Sequence, residues 1–275
     1  MITGGLDLGA GEVKGALLED GRRTLATAAA PSRGNPVRAA RAVLDSLGET
    51  ANIAPNEIDY LCTTGFGRYS IPERDLQVSD FTSSARGAVF LFPKTRSVVD
   101  IGTQASRTMA IADTGRVLKF KMNEKCAAGA GRFVERCSKY LQVPLEEMGP
   151  KALASTHPKL ISSVCAVLAE TEIINNVAEG TPLPDILMGV FLSLSQRAHT
   201  LLRQVGVQPE VTLVGGLVQN PGMVKALRET IGLDVNVAPE AFYAAALGCA
   251  VIGYGRLVRR SDPLVAAGGV ACPTS

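Results

Sequence analysis

Apolar residues along this chain recur with two periods, one typical of helices and one typical of buried strands. Spacings of three and four residues indicate amphipathic helices, and we predict them over residues 36–47, 79–89, 132–141, 165–178, 184–205, 221–230 and 241–257. Short apolar runs between turn residues indicate strands, which we predict over residues 58–63, 211–214 and 234–237. Strands interspersed with helices predict an α/β protein.

Two segments repeat the same order of strand, tight glycine turn, strand and hairpin turn. The first covers residues 5–14 with its hairpin turn at 19–22, and the second covers residues 98–107 with its turn at 113–116. Each places an aspartate near the end of its first strand. Two halves with the same opening hairpin indicate duplicated α/β domains that face each other.

This repeat divides the chain into four parts. We expect an N-terminal half over residues 1–95 and a C-terminal half over 96–240. A final helix over 241–260 is expected to pack back toward the N-terminal half, and residues 261–275 form a polar tail.

Composition narrows the class of protein. The chain has 275 residues, 46% hydrophobic and 20% charged, which is enough for one large or two medium domains. A net charge of +2 without a long basic run does not indicate a nucleic-acid partner. Asp7 and Glu12 interrupt any signal-peptide pattern, and no apolar run reaches the ~18 residues of a membrane span. We therefore expect a cytoplasmic protein without a membrane partner.

The six cysteines are sparse and lack a CxxC spacing, so neither a disulfide framework nor a complete four-cysteine site is indicated. Two histidines give little support to a zinc site. Cys126 precedes a glycine-rich loop that runs into a predicted helix, and Cys165 opens another. Helix N-termini stabilise thiolates, so the two cysteines suggest half of a metal-cluster site. The alternative is that both are small packing residues.

The other cysteines are expected to be structural. Cys137 would lie about 16 Å from Cys126 if the segment were helical throughout, at about 1.5 Å per residue, which is too far to share a cluster. Cys62 and Cys249 lie in apolar runs and are expected in the core. Cys272 lies in the tail.

The two Asp-x-Gly turns are candidate phosphate loops. Glycine lets backbone N–H groups approach an anion, and Asp7 and Asp100 could hold Mg²⁺ directly or through water. Gly215-Gly216 adds a third glycine turn before a helix, with Asn220 as a plausible N-cap. A plain β-hairpin is the alternative for either aspartate turn alone. The P-loop pattern is absent from the sequence.

Together these motifs resemble a known family. The two Asp-x-Gly hairpins and Val214-Gly215-Gly216 resemble the phosphate-1, phosphate-2 and adenosine motifs of the actin/hexokinase/Hsp70 ATPase fold. Residues 123–133 and 164–175 resemble the cluster-binding segments of one subfamily. It contains the ATPase subunits of ATP-dependent benzoyl-CoA reductase and the activators of 2-hydroxyacyl-CoA dehydratases. The resemblance covers residues 2–256 and implies duplicated ribonuclease-H-like domains with an ATP cleft between them.

The resemblance also implies the site. In that family two ATPase subunits share one [4Fe–4S] cluster, which assigns Cys126 and Cys165 as ligands. It implies Mg²⁺ and ATP, with Asp7, Asp100 and Gln104 as catalytic residues. The implied nucleotide-binding residues are Gly9, Gly11, Lys14, Gly102, Thr103, Gly215, Gly216 and Asn220.

Two departures from the family pattern matter. The second loop reads Gly102-Thr103-Gln104-Ala105 where Gly-Gly-Gln-Asp is usual, so a carboxylate is missing. This fits a reductase subunit, which pairs with a non-identical ATPase chain, better than a self-pairing activator. Residues 10–13 stand where small hydroxyl residues are usual in the first loop.

The resemblance implies an ATP-driven electron-transfer subunit, with the ATPase subunit of a benzoyl-CoA reductase favoured. Its partners would be an identical or paralogous ATPase chain, catalytic subunits that reduce or dehydrate an acyl-CoA, and ferredoxin or flavodoxin as electron donor. A homodimeric dehydratase activator is an alternative. A cluster-free small-molecule kinase of the same fold and a nucleotide-binding regulator are others. The acyl-CoA substrate and the identity of the paired chain stay open.

Overall fold

A computed structural model describes residues 1–123, 130–162 and 165–261. These residues form ten β-strands and eight α-helices. The strands are β1 Ile2–Leu8, β2 Glu12–Glu19, β3 Arg23–Pro31, β4 Tyr60–Thr64, β5 Leu76–Gln77, β6 Ser97–Ile101, β7 Ser106–Ile111, β8 Val117–Met122, β9 Val211–Val214 and β10 Val235–Asn236. The helices are α1 Pro36–Ala51, α2 Asp80–Leu91, α3 Gly131–Leu141, α4 Leu145–Ala152, α5 Ala166–Ala178, α6 Leu183–Val205, α7 Pro221–Ile231 and α8 Ala244–Ser261.

The chain divides into two compact units, and the first contains Met1–Ser83 together with the described residues from Ala245 onward. Its five-stranded sheet has the order β3-β2-β1-β4-β5. The strands β1, β2 and β3 form an antiparallel meander, whereas β4 runs parallel to β1 and β5 parallel to β4. Apolar residues of α1 pack on this sheet, and the buried set includes Leu6, Leu8, Leu17, Val43 and Leu47.

The second unit, Ser84–Ala244, contains a sheet of the same design. Its order is β8-β7-β6-β9-β10, again an antiparallel meander followed by two parallel strands. Both meanders carry a register shift in their second pairing, at Leu17/Leu18 and at Ala110/Ile111. This equivalence of the two sheets confirms the duplicated α/β architecture that the repeated hairpin predicts.

Helix α8 belongs to the core of the first unit. A Cβ added to Gly5 of β1 would collide with the backbone oxygen of Ala246 and would lie 2.7 Å from the backbone nitrogen of Ala250, so strand and helix touch through their backbones. The stretch Pro239–Arg260 is long and apolar enough to cross a bilayer by composition, and half of it is buried inside the protein. Core helices pass the same test, so this is weak evidence for a membrane span.

The structure corrects several predicted boundaries. The segment 239–243 is a 3-10 turn, so the last helix begins at Ala244. Cys165 is the N-cap residue of α5 and not its first helical residue. Helix α4 was absent from the predicted elements because it has only eight residues and carries Pro150 inside it, a residue that normally argues against a helix interior. The hairpins also continue into third strands, β3 and β8.

A buried carboxylate of α6 fixes the loop that follows α4. Asp185, in the first turn of α6, accepts hydrogen bonds at Oδ1 from the Ser155 hydroxyl at 2.6 Å and from the backbone N–H groups of Thr156 and His157 at 3.0 Å each. These bonds, that of Ser155 above all, hold the pKa of Asp185 below its usual value of 3.8. Because the charged form is favoured in the folded state, its stabilisation is present above pH 3.8 and is lost as the pH falls through the lowered pKa.

We predict that Asp185→Asn lowers the melting temperature at pH 7 and that its difference from the wild type shrinks as the pH falls from 3.8 through the lowered pKa, where the folded wild-type carboxyl becomes neutral. Thermal unfolding followed by circular dichroism at several pH values measures this. Asp45→Asn, at an exposed position on α1, is the matched control. A difference from the wild type that stays constant from pH 7 to pH 2 would contradict the assignment.

Candidate functional site

The first candidate phosphate turn is held compact by one serine. The hydroxyl of Ser32 donates to the carbonyl of Gly9 at 2.7 Å, and its backbone N–H donates to the carbonyl of Gly11 at 2.9 Å. A Cβ on Gly9 would lie 2.7 Å from the carbonyl oxygen of Glu12, so only glycine fits there. The turn therefore has a defined shape with its Gly backbone partly exposed.

Asp7 lies at the carboxyl end of β1, opposite Lys14 of β2. Lys14 is buried, with 7% of its surface exposed. Gly65 follows the neighbouring parallel strand β4 and packs against the Asp7 carboxylate. Its φ is +87°, and an added Cβ would lie 2.6 Å from Asp7 Oδ1 and from the carbonyl oxygen of Leu8. Sequence reasoning missed Gly65, although a glycine two residues after the predicted strand 58–63 is the available signal.

The second unit repeats this arrangement around Asp100. Gly215 follows β9 with φ +94°, and an added Cβ would lie 2.7 Å from Asp100 Oδ1 and from the carbonyl oxygen of Ile101. Asp100 is 6% exposed. Gly65 and Gly215 are thus equivalent, and each closes the space beside the aspartate of its own sheet.

Asp100 has two further partners that the sequence did not suggest. The Ser84 hydroxyl of α2 donates to Asp100 Oδ2 at 2.9 Å, and Arg107 Nη1 of β7 forms an ion pair with the same oxygen at 3.3 Å. Arg107 stands opposite Asp100 in the β6–β7 register, as Lys14 stands opposite Asp7. An aspartate followed seven positions later by a cation in both hairpins is the signal that would have found Arg107.

The turn that follows Asp100 presents the remaining predicted residues. It is closed by the Gly102 N–H, which donates to the Ala105 carbonyl at 2.9 Å. Gly102 and Thr103 are partly exposed, and Gln104 is exposed. Asp100, Gly102, Thr103, Gln104 and Gly215 therefore share one end of the second sheet.

The other residues of the third glycine turn serve two purposes. A Cβ on Gly216 would meet no atom within 4 Å, so this backbone faces open space. Asn220 caps α7, because its Oδ1 accepts from the backbone N–H of Met223 at 2.9 Å. The predicted N-cap is confirmed, and a part of Asn220 in nucleotide binding stays a prediction.

Cys165 differs from the other described cysteines. It is partly exposed and makes no side-chain capping bond to α5. Cys165 therefore stands at the start of the helix, and its sulfur does not cap the helix. Cys126 lies outside the described residues. Among the described residues, no group of three or more His, Cys, Asp or Glu side chains could hold a metal ion. A metal centre that uses Cys165 therefore needs ligands from elsewhere.

The remaining described cysteines are buried, as predicted. Burial raises the pKa of the Cys137 thiol to about 12. Burial and a hydrogen bond with Cys62 hold the pKa of Cys249 well above its usual value. Since the thiolate is the form that binds metals, Cys137 and Cys249 fit the core and not a metal site, and Cys62 is buried as well.

Helix α5 is held by charged contacts on two sides. Arg136 of α3 pairs with Glu170 at 2.7 Å, and the Tyr140 hydroxyl donates to Glu170 at 3.3 Å. Before the helix, the Ser162 N–H donates to Glu172 at 2.6 Å, and Arg197 of α6 donates to the Ser162 carbonyl at 3.0 Å. Cys165 is therefore carried by a helix with fixed neighbours.

The two sheets of the same design, each with an aspartate and glycine hairpin, have the fold of the actin and hexokinase type. The chain belongs to the BadF/BadG/BcrA/BcrD ATPase family, whose model matches residues 5–253.

Relatives of two kinds are similar over nearly the whole chain. A 2-hydroxyisocaproyl-CoA dehydratase activator from Clostridioides difficile is 35% identical and covers 92% of this chain and 95% of its own length. One of the subunits of benzoyl-CoA reductase from Thauera aromatica is 36% identical, and the match covers 92% of this chain and 93% of that subunit. The structure of the activator from Clostridium difficile with bound ADPNP matches with a TM-score of 0.90 at 32% identity, covering 100% of both chains.

We predict that Gly65→Ala destabilises the protein more than Gly34→Ala. Both glycines have a positive φ, of +87° and +77°, but only Gly65 is crowded, and nothing lies within 4 Å of a Cβ on Gly34. Gly34→Ala should therefore lower the free energy of unfolding by about 1–2 kcal/mol, the cost of the left-handed backbone alone. Gly65→Ala should cost clearly more because Leu8 and Asp7 must move. Urea unfolding of both variants measures this, and equal effects would contradict the packing.

Proposed function

We propose that this chain is an ATP-hydrolysing subunit that holds half of a [4Fe–4S] cluster and drives low-potential electrons to a partner acting on an acyl-CoA. Membership of the ATPase family supports the first part. The observation that carries the second is Cys165, a partly exposed cysteine at the start of α5 in the unit that also bears the Asp100 turn.

For nucleotide binding, we assign each aspartate turn to the phosphates of ATP. Asp7 and Asp100 would organise Mg²⁺ and its water, and the backbone N–H groups of the glycine turns would meet phosphate oxygens. Arg107 and Ser84 share one carboxylate oxygen of Asp100, which fixes the orientation of that group. Gln104 would position the attacking water from its exposed place in the turn.

For the cluster, we assign Cys126 and Cys165 as the two ligands of this chain. Cys165 fits this role because it is accessible and lies at a helix N-terminus, where the dipole favours an anionic group. The cluster would supply a one-electron carrier. With two cysteines per chain, a second ATPase chain, identical or paralogous, would provide the other two thiolates.

For the partner, we favour the catalytic subunits of a benzoyl-CoA reductase, with a 2-hydroxyacyl-CoA dehydratase as the alternative. The two kinds of relative are about equally similar, so the preference rests on Ala105, which stands where a self-pairing activator would carry a carboxylate. Ferredoxin or flavodoxin would be the electron donor, in the cytoplasm. Co-purification with a paralogous ATPase chain supports the reductase, and a stable homodimer that activates a dehydratase supports the alternative.

We predict that Cys165→Ser abolishes iron binding while ATP binding persists, because the phosphate turns lie on other segments. Iron and sulfide are assayed in anaerobically purified protein, and nucleotide affinity is measured by calorimetry. Cys137→Ala is the matched control, since Cys137 is buried and outside the proposed site. Full iron content in Cys165→Ser would rule out this ligand.

We predict that Asp7→Asn and Asp100→Asn each lower ATP turnover by about 100-fold, or about 2.7 kcal/mol of barrier, because each removes a carboxylate that organises metal and water. Steady-state hydrolysis by the assembled ATPase pair measures this. Asp113→Asn, at an exposed position in the turn between β7 and β8, should leave turnover unchanged. Near-wild-type turnover in both test variants would mean that the aspartates are structural.

A further inference from the structure

Two buried cysteines of the first unit meet between its sheet and helix α8. Cys62 lies in the middle of β4 and Cys249 lies on α8, and neither has exposed surface. Cys62 stands beside Gly5 in the β1–β4 register, and a Cβ added to Gly5 would lie 2.9 Å from the Cβ of Cys249. One turn further along α8, a Cβ added to Gly253 would lie 3.8 Å from the Cβ of Cys62. The two cysteine side chains therefore share one small space between sheet and helix.

The two thiols interact directly and are not equivalent. A side-chain hydrogen bond joins Cys249 to Cys62. Burial above all raises the pKa of Cys249, and this bond and the carboxylates of Asp7 and Asp80 add to the effect. Cys249 therefore keeps its proton. Because the thiolate is the nucleophile, the first attack on an electrophile falls to the Cys62 sulfur.

The surroundings of the pair favour oxidation over metal binding. Within the ranges that the structure describes, no group of three or more His, Cys, Asp or Glu side chains could hold a metal ion. Two sulfurs that share a hydrogen bond need only a small change of side-chain torsion to come within bonding distance. In reducing compartments a disulfide between such thiols is usually transient and redox-sensing.

We propose that Cys62 and Cys249 are a reversible oxidation site for hydrogen peroxide, and that their disulfide alters the Asp7 turn of the same unit. The Cys62 thiolate attacks one peroxide oxygen, the O–O bond breaks, and a sulfenic acid forms on Cys62. The leaving hydroxide takes up the proton that Cys62 released. The Cys249 sulfur then loses its proton and attacks the Cys62 sulfur, and the S–O bond breaks as a second water leaves. In total the two thiols lose two electrons and two protons, and peroxide becomes two water molecules.

Hydrogen peroxide fits this site because it is small. It has one oxygen atom more than water, and water molecules commonly occupy protein interiors. Gly253 and Gly255 lie in the second half of α8, and glycine inside a helix lowers the cost of local opening. A bulky disulfide such as an oxidised peptide would need a much larger opening to reach the same sulfurs.

The contact between β1 and α8 limits how the disulfide can close. A Cβ on Gly5 would collide with the backbone oxygen of Ala246, so α8 cannot move closer to β1. Any backbone movement on closure therefore falls on β4, which Gly65 follows directly. Since Gly65 packs against Asp7, we expect oxidation to displace the Asp7 turn and to weaken ATP binding. This last effect rests on the proposed function, which assigns the turn to the phosphates of ATP.

Peptide mapping tests the disulfide itself. Anaerobically purified protein is treated with hydrogen peroxide, its free thiols are alkylated as the chain is denatured, and the unreduced chain is digested with trypsin. Cys62 and Cys249 are the only cysteines of the tryptic peptides 42–68 and 229–256. We expect these two peptides to be joined after peroxide treatment and separate after dithiothreitol. Recovery of both peptides unjoined after peroxide would overturn the proposal, and this result needs no variant.

Single variants test the order of the two steps. In Cys249→Ala the reaction should stop at the sulfenic acid of Cys62, which dimedone traps on peptide 42–68 during denaturation. In Cys62→Ala the Cys249 thiol should stay reduced. Cys137→Ala, which removes another buried cysteine, is the matched control and should still give the joined peptides. Dimedone on Cys249 in Cys62→Ala would contradict the assigned attack by Cys62.

ATP affinity separates a switch from a cross-link without effect. Calorimetry with MgATP compares the wild type before peroxide, after peroxide and after dithiothreitol, and ATP binding is expected to survive any loss of iron. We expect the affinity to fall by about tenfold on oxidation and to recover on reduction, whereas Cys62→Ala should show no change. Unchanged affinity in the fully joined wild type would overturn the effect on the Asp7 turn. A reduced wild type that does not bind ATP would instead overturn the proposed function, while the peptide map still decides the disulfide.

Discussion

Both sheets depend on the contact between a positive-φ glycine and an aspartate at the end of the neighbouring parallel strand. Gly65 packs against Asp7, and Gly215 packs against Asp100. A Cβ added to Gly65 would lie 2.6 Å from Asp7 Oδ1, and one added to Gly215 would lie 2.7 Å from Asp100 Oδ1. A basic residue stands opposite each aspartate on the antiparallel side. Each carboxylate is thereby confined between a backbone and a cation, beside the glycine turn of its own hairpin.

The aspartate turn of the second unit has other neighbours than that of the first. This turn is bonded through Gly102 and Thr103 to α3, and α3 is joined to α5 by the Arg136–Glu170 pair. In the equivalent position of the first unit, the turn is bonded to Ser32 of the same hairpin. Two copies of one hairpin therefore have different neighbours, and within the second unit the described residues connect the turn to α5, which begins after Cys165.

The sequence predicted those features that short-range patterns determine. The repeat of Asp7 and Asp100, the N-cap at Asn220 and the buried state of Cys137 all follow from local spacing or local polarity, and the structure confirms them. Gly65, Ser84 and the bonds from α3 to the turn were missed, because each joins residues far apart in sequence. The α3 bonds use backbone atoms alone, so no side-chain pattern could have indicated them.

The proposed function depends on one shared cluster, and iron stoichiometry combined with molecular mass tests this most directly. Anaerobically purified ATPase pair, free of its catalytic partners, is analysed for iron and sulfide and by light scattering before and after oxidation by air. We predict about two iron atoms per chain, in a dimer whose pairing weakens when the cluster is lost, since four thiolates must come from two chains. A monomer that keeps a full cluster, or a dimer without iron, would contradict the shared cluster.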